Sequence, residues 1–214
     1  MASTLDMLAV LIVAIAILAA VAYLLTRLKF FREVLAGKVT WKSGFLLIII
    51  FGLLSIFGTY ASLEIMGAKA NVRDLGPMIA GLVAGPFVGM GAGLIGSLQR
   101  LTLGGITAVP CAVATTLAGL IGGLIYLANR KRFVGVIGAV VFAILMECLH
   151  MLLIVLLVQP TSSAWEIVST ISIPMIVANA IGMAAFSLIF QRYRPKVPGF
   201  QKTRSPDPGR YEVK

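Results

Sequence analysis

Long apolar runs decide what this chain can become. They span residues 5–25, 45–60, 77–98, 106–127, 134–158 and 167–190. A helix that crosses a bilayer needs roughly 20 mostly apolar residues, and several of these runs reach that length. The runs are continuous and do not alternate, so they read as helices. Charged residues make up 12% of the chain, against about 25% in soluble domains, and they cluster between the runs. The mean hydropathy is +1.01. The fold class expected is all-α: a polytopic transmembrane helical bundle of five to six membrane helices in the plasma membrane.

The net charge of +10 raises the question of nucleic acid. Position answers it: most Lys and Arg flank the apolar runs, where they set topology. No basic surface domain with interleaved aromatics exists to hold a nucleic acid. Cys111 and Cys148 form no CxxC and no disulfide framework. Cys148 reads as a small buried hydrophobe.

The first run has only Asp6 near its start and is followed at once by Arg27, Lys29 and Arg32. A cleaved signal peptide has the reverse charge order, so this run reads as an uncleaved anchor with its N-terminus outside. The basic loops 27–42 and 129–133 and the basic tail go to the cytoplasm by the positive-inside rule. The nearly neutral loops 60–76 and 159–166 go outside. That arrangement leaves a parity problem, because two runs lie between residue 61, outside, and residue 129, inside. One solution is a third run that does not cross: it enters over 77–85, turns at Pro86 and returns over 88–98. Such re-entrant backbone is tolerated only where protein or a cavity surrounds it. A crossing by 61–76, giving seven spans, is a second solution. A basic loop that breaks the rule is a third.

Gly81, Gly85, Gly89 and Gly93 recur at i+4, and Gly119 and Gly123 repeat the spacing. Small residues on one helical face let helices approach closely. This ladder reads first as packing and second as the frame of a tight polar pocket. Arg73 and Arg100 stand at the edges of the hairpin, far from the cytoplasmic clusters. A structural role is open to each: an ion pair with Asp74 or Glu64 for Arg73, snorkelling for Arg100. The functional reading is a pair of guanidinium forks aimed at a carboxylate. Gly104-Gly105 permits a sharp turn, and Pro110 suits the first turn of the next helix. A helix start favours negative charge, and Cys111 would sit there, with Thr115 and Thr116 one turn on. Glu147 and His150, at i and i+3 in the fifth run, share a face. They read as an interhelical hydrogen-bonded pair or as a polar relay. One His and one Glu do not make a metal site, and no cofactor motif or catalytic set appears. Asn179 reads as an interhelical hydrogen-bonder.

The order Asn71-Val72-Arg73-Asp74, then the glycine ladder, then Gln99-Arg100, Gly104-Gly105 and Pro110-Cys111, resembles the five-transmembrane receptor module of the LytS–YhcK type. The likeness covers roughly residues 40–190. The resemblance implies signal input from outside and, in some members, sensing of pyruvate-like carboxylates. On that basis Asn71, Arg73, Arg100, Cys111 and Thr115 are ligand-binding candidates. Members often place a hydroxyl one turn after the cysteine; here that position is Ala114, with Thr115 beside it. Such receptors continue into a cytoplasmic kinase, whereas about 20 polar residues follow the last run here. Kinase activity would therefore lie in a further domain or in a cytoplasmic partner, and a homo-oligomer is expected.

The organisation expected is an anchor helix and basic loop (1–36), a sensory module (37–192) and a disordered basic cytoplasmic tail (193–214). The module also resembles, distantly, the substrate-binding subunits of energy-coupling-factor transporters. Solute transport is the rival reading, and a ligand-free assembly protein a third.

Overall fold

A computed structural model describes residues 4–65 and 68–193, with side chains from residue 9 onward; the tail read as disordered lies outside the described residues except for Tyr193. Helices α1 (Thr4–Arg27), α3 (Trp41–Tyr60), α6 (Ala108–Ala128), α7 (Gly135–Leu157) and α8 (Thr161–Tyr193) are long and apolar enough to cross a membrane. Shorter pieces join them: α2 (Lys29–Leu35), strands β1 (Leu63–Ile65) and β2 (Ala68–Ala70), α4 (Leu75–Ala84) and α5 (Pro86–Thr102). The outer surface is apolar, as lipid contact requires: Leu145, Ile173 and Val177 project from mid-helix and are exposed.

Local chemistry sets the breaks. Thr40 and Ser43 form a reciprocal capping box that starts α3, satisfying backbone donors a helix start leaves open. Gly85, at φ 97°, ends α4, and Pro86 opens α5 at a position where its missing N–H costs nothing. The chain doubles back there. A Cβ on Gly89 would lie 2.6 Å from the Gly81 Cα, and one on Gly119 would overlap the Gly89 carbonyl. The glycine ladder is thus a backbone-to-backbone seam in which the α4–α5 hairpin lies directly on α6. The tip of the hairpin reaches Tyr126 near the end of α6. Helix α4 is buried along nearly its whole length, so this non-spanning backbone is surrounded by protein.

Three features depart from the sequence reading. The basic loop after α1 contains α2, which buries Phe31 and Val34 and sets the Phe31 ring 5.2 Å from Phe190 of α8. The loop after α3 carries an antiparallel β-hairpin, with Leu63 opposite Ala70 and Ile65 opposite Ala68. Cys148, read as buried, is exposed on α7. Beside these, Arg27 lies over the rings of Tyr23 and Tyr193, 4.9 and 5.7 Å from their centroids, tying α1 to the end of α8.

Candidate ligand-binding site

The turn between β2 and α4 brings Asn71, Arg73 and Asp74 into the interior. Asn71 shapes that turn. Its Oδ1 accepts from the Arg73 backbone N–H at 3.0 Å, and its Nδ2 donates to the Lys69 carbonyl at 2.6 Å. Asn179 of α8 donates to the Asn71 carbonyl at 3.3 Å, so the bond expected between helices runs instead from α8 to the β2–α4 turn. Held this way, Arg73 is completely buried.

Arg73 Nε donates to Thr115 Oγ1 at 2.7 Å and lies 3.4 Å from Asp74 Oδ1. The Thr115 hydroxyl in turn lies 2.6 Å from Asp74 Oδ1 and 2.8 Å from the Cys111 carbonyl, and its one proton serves one of them. His150 Nδ1 is 3.2 Å from Asp74 Oδ2 and 3.7 Å from Glu147 Oε2, while its Nε2 is 3.2 Å from Cys111 Sγ. Burial works against ionising Asp74, but Arg73 and His150 outweigh it and hold the carboxyl low, at about 2. Arg100 of α5 is buried too. It donates from Nη1 to the Gly104 carbonyl at 2.5 Å and from Nη2 to Thr107 Oγ1 at 3.1 Å. Gly104 and Gly105 both have positive φ, so the sharp turn exists and presents its carbonyl to this arginine. Arg73, Arg100 and His150 all act electrostatically on the Cys111 sulfur.

The structure therefore gathers Asn71, Arg73, Arg100, Cys111 and Thr115 at the end of the bundle opposite the 130–132 basic loop. It joins Glu147 and His150 to the same cluster rather than leaving them as a separate pair. Asp74 is the member that sequence reasoning weighed only as an ion-pair partner for Arg73. Its place beside Arg73 in the Asn71–Asp74 stretch was the available signal. Glu64 does not pair with Arg73 but with Lys69, at 3.3 Å. Arg100 does not snorkel but turns inward. Thr116 points elsewhere, 2.8 Å from Ser97 Oγ. The helix start of α6 offers little to an anion, because Ala108 N donates to Gly105, Cys111 N donates to Thr107 and Pro110 has no N–H.

Several polar atoms in the cluster are buried without a hydrogen-bond partner among the described residues: Arg73 Nη1 and Nη2, Arg100 Nε and both Glu147 carboxylate oxygens. Buried polar groups are ordinarily paired, so these orphans mark where the cluster can accept something more. Asp74, Glu147 and His150 place potential metal-ligating atoms within 4.8 Å of one another. The adjacent Arg73 charge opposes a cation there, and the set fits an anion-facing network better.

Thr115→Val should destabilise the protein by about 1–3 kcal/mol, since it strips a partner from a buried guanidinium and a buried carboxylate at once. Thr115→Ser should recover most of that loss. Thermal melts of the purified variants would read it, and a Val variant as stable as the parent would contradict the assigned bridge.

Residues 28–193 match the family described as the 5TMR of 5TMR-LYT, and the chain belongs to that family. It is 38% identical over 195 residues to the sensor protein LytS of Bacillus subtilis, covering 83% of this chain and 33% of that protein. It is 36% identical over 176 residues to the sensor histidine kinase BtsS of Escherichia coli, covering 79% of this chain and 31% of that protein. The sensor histidine kinase YpdA of Escherichia coli is 35% identical over 164 residues, covering 73% of this chain and 28% of that protein. The chain thus spans about a third of the length of these relatives. No solved structure matches it.

Proposed function

We propose that the chain is the sensing region of a two-component-type receptor, and that it recognises a small carboxylate of the pyruvate type. The observation that carries this reading is Arg73: a fully buried guanidinium whose two terminal nitrogens lack partners. Arginine cannot discharge by losing its proton, and its fork matches a carboxylate bidentately. Arg100 Nε, also unpartnered, supplies a second donor for a keto or hydroxyl oxygen. The ligand's oxygens would give the unpartnered Arg73 and Arg100 nitrogens the acceptors they lack. The site lies away from the basic loops, so the positive-inside rule gives it to the outer face and the end of α8 to the cytoplasm. The signal would pass along α8 to a kinase domain or kinase partner, in a homo-oligomer. The names of the relatives, sensor proteins and sensor histidine kinases, support the sensing role.

Binding is tested by calorimetric titration of the purified chain with pyruvate. Arg100→Ala should weaken it tenfold or more, which corresponds to about 1.4 kcal/mol or above. No saturable binding by the parent chain would overturn the reading. So would pyruvate flux in counterflow assays on proteoliposomes, which would make the chain a carrier.

A further inference from the structure

The other end of the bundle carries a feature that carboxylate recognition does not use. A cavity of about 270 Å³ opens there among α2, the tip of α4, the α6–α7 turn and the end of α8. Its lining is of two kinds. Val34, Val83 and Phe190 give it an apolar wall, and Arg130, Lys131 and Arg132 add three consecutive cations. Among the described residues, none of the three basic side chains has an ion-pair or hydrogen-bond partner.

The backbone that brings these cations together is unusual. Arg130 and Lys131 have φ of 55° and 57°, the left-handed region that residues with a Cβ seldom enter. The turn is held by Arg130 N donating to the Leu127 carbonyl at 3.1 Å and Lys131 N to the Tyr126 carbonyl at 2.9 Å. Strained backbone that persists at a concave site points to function there. A glycine would have made the same turn without strain and without charge.

The two kinds of wall select the occupant. A phosphate needs the cations but leaves the apolar wall unused. A hydrocarbon chain needs the apolar wall and is indifferent to the cations. The segment 194–214 holds Arg194, Lys196, Lys202, Arg204, Arg210 and Lys214 against Asp207 and Glu212, so its charge does not complement that of the cavity. A phospholipid with a net negative headgroup meets both demands, and basic pockets between membrane helices hold such headgroups. We infer that this cavity binds an anionic phospholipid from the adjoining leaflet, its headgroup on Arg130, Lys131 and Arg132 and its upper acyl chain along Val34, Val83 and Phe190.

The test is a set of thermal melts of the purified 214-residue chain in detergent, with phosphatidylglycerol, phosphatidylcholine or inorganic phosphate added. Phosphatidylglycerol should raise the melting temperature above the phosphatidylcholine value, and phosphate alone should not. The double variant Arg130→Asn and Lys131→Asn removes charge while keeping a residue type that tolerates left-handed backbone. It should lose most of the phosphatidylglycerol-specific rise. Lys29→Gln with Lys42→Gln, which removes two exposed charges outside the cavity, should keep it. Equal loss in both double variants would overturn the inference, as would an equal rise with free phosphate or no preference for phosphatidylglycerol. Should the Asn variant fail to fold, photoreactive phosphatidylglycerol on the parent chain decides. Adducts should fall in 34–37 and 130–133, and adducts confined to other segments would overturn the assignment.

Discussion

Arg73→Met is expected to cost about 3 kcal/mol of stability, because it breaks a buried ion pair and leaves Asp74 with only His150 and Thr115 against it. Asp74 is 3.4 Å from the Arg73 guanidinium and nearly inaccessible to water. It sits at the entry to α4, the helix that lies directly on α6, so a disturbed Asp74 is felt along the glycine seam. The loss is a large part of the roughly 5–15 kcal/mol that holds a typical domain together. Arg73→Lys tests charge against shape. It keeps the positive charge and should recover part of the stability, yet it lacks the fork and should not restore pyruvate binding. Thermal melts and pyruvate titrations of both variants separate the two effects. A Met variant that melts with the parent would show that Arg73 does not neutralise Asp74.

The second large effect is expected at Gly119. A Cβ there would run into the Gly89 carbonyl, and backbone cannot swing aside as a side chain can. Gly119→Val should therefore force the α4–α5 hairpin off α6, at about 3 kcal/mol or more, the upper end of overpacking costs. Gly44→Ala is the matched control: its new methyl would meet Val88 Cγ2 at 3.4 Å, an ordinary contact. It should change stability by no more than about 1 kcal/mol, the scale of the helix-propensity gain from Gly to Ala. Equal destabilisation by the two would mean that the seam is looser than the structure places it.

The architecture was legible because bilayer physics writes it in run length and charge position. The long runs became helices, and Gly85-Pro86 marked the tip of the hairpin that was one of three solutions to the charge parity. The elements that escaped are short. Helix α2 occupies seven residues of a loop read only for its basic charge. Strands β1 and β2 are three residues each in a weakly polar stretch, too short for alternation to register. The polar cluster was half legible. Arginines far from the topogenic loops and a cysteine near a helix start drew attention on chemical grounds. Nothing in periodicity could say that His150 of α7 reaches Cys111 of α6, or that Thr115 rather than Thr116 turns toward Arg73. Those contacts depend on the rotation of each helix about its axis, which no spacing rule encodes.

A small carboxylate bound as proposed pairs with the unpartnered terminal nitrogens of Arg73. Solid-state NMR of the chain in lipid, with carboxyl-labelled pyruvate and guanidinium-labelled arginine, measures that pairing directly. A bidentate pair has N···O distances near 2.8 Å, which places the carboxyl carbon about 3.6 Å from the terminal nitrogens. Strong carbon–nitrogen dephasing at that distance is expected, and its loss in Arg73→Lys. Saturable binding of pyruvate with no dephasing, or dephasing that survives Arg73→Lys, would contradict that pairing.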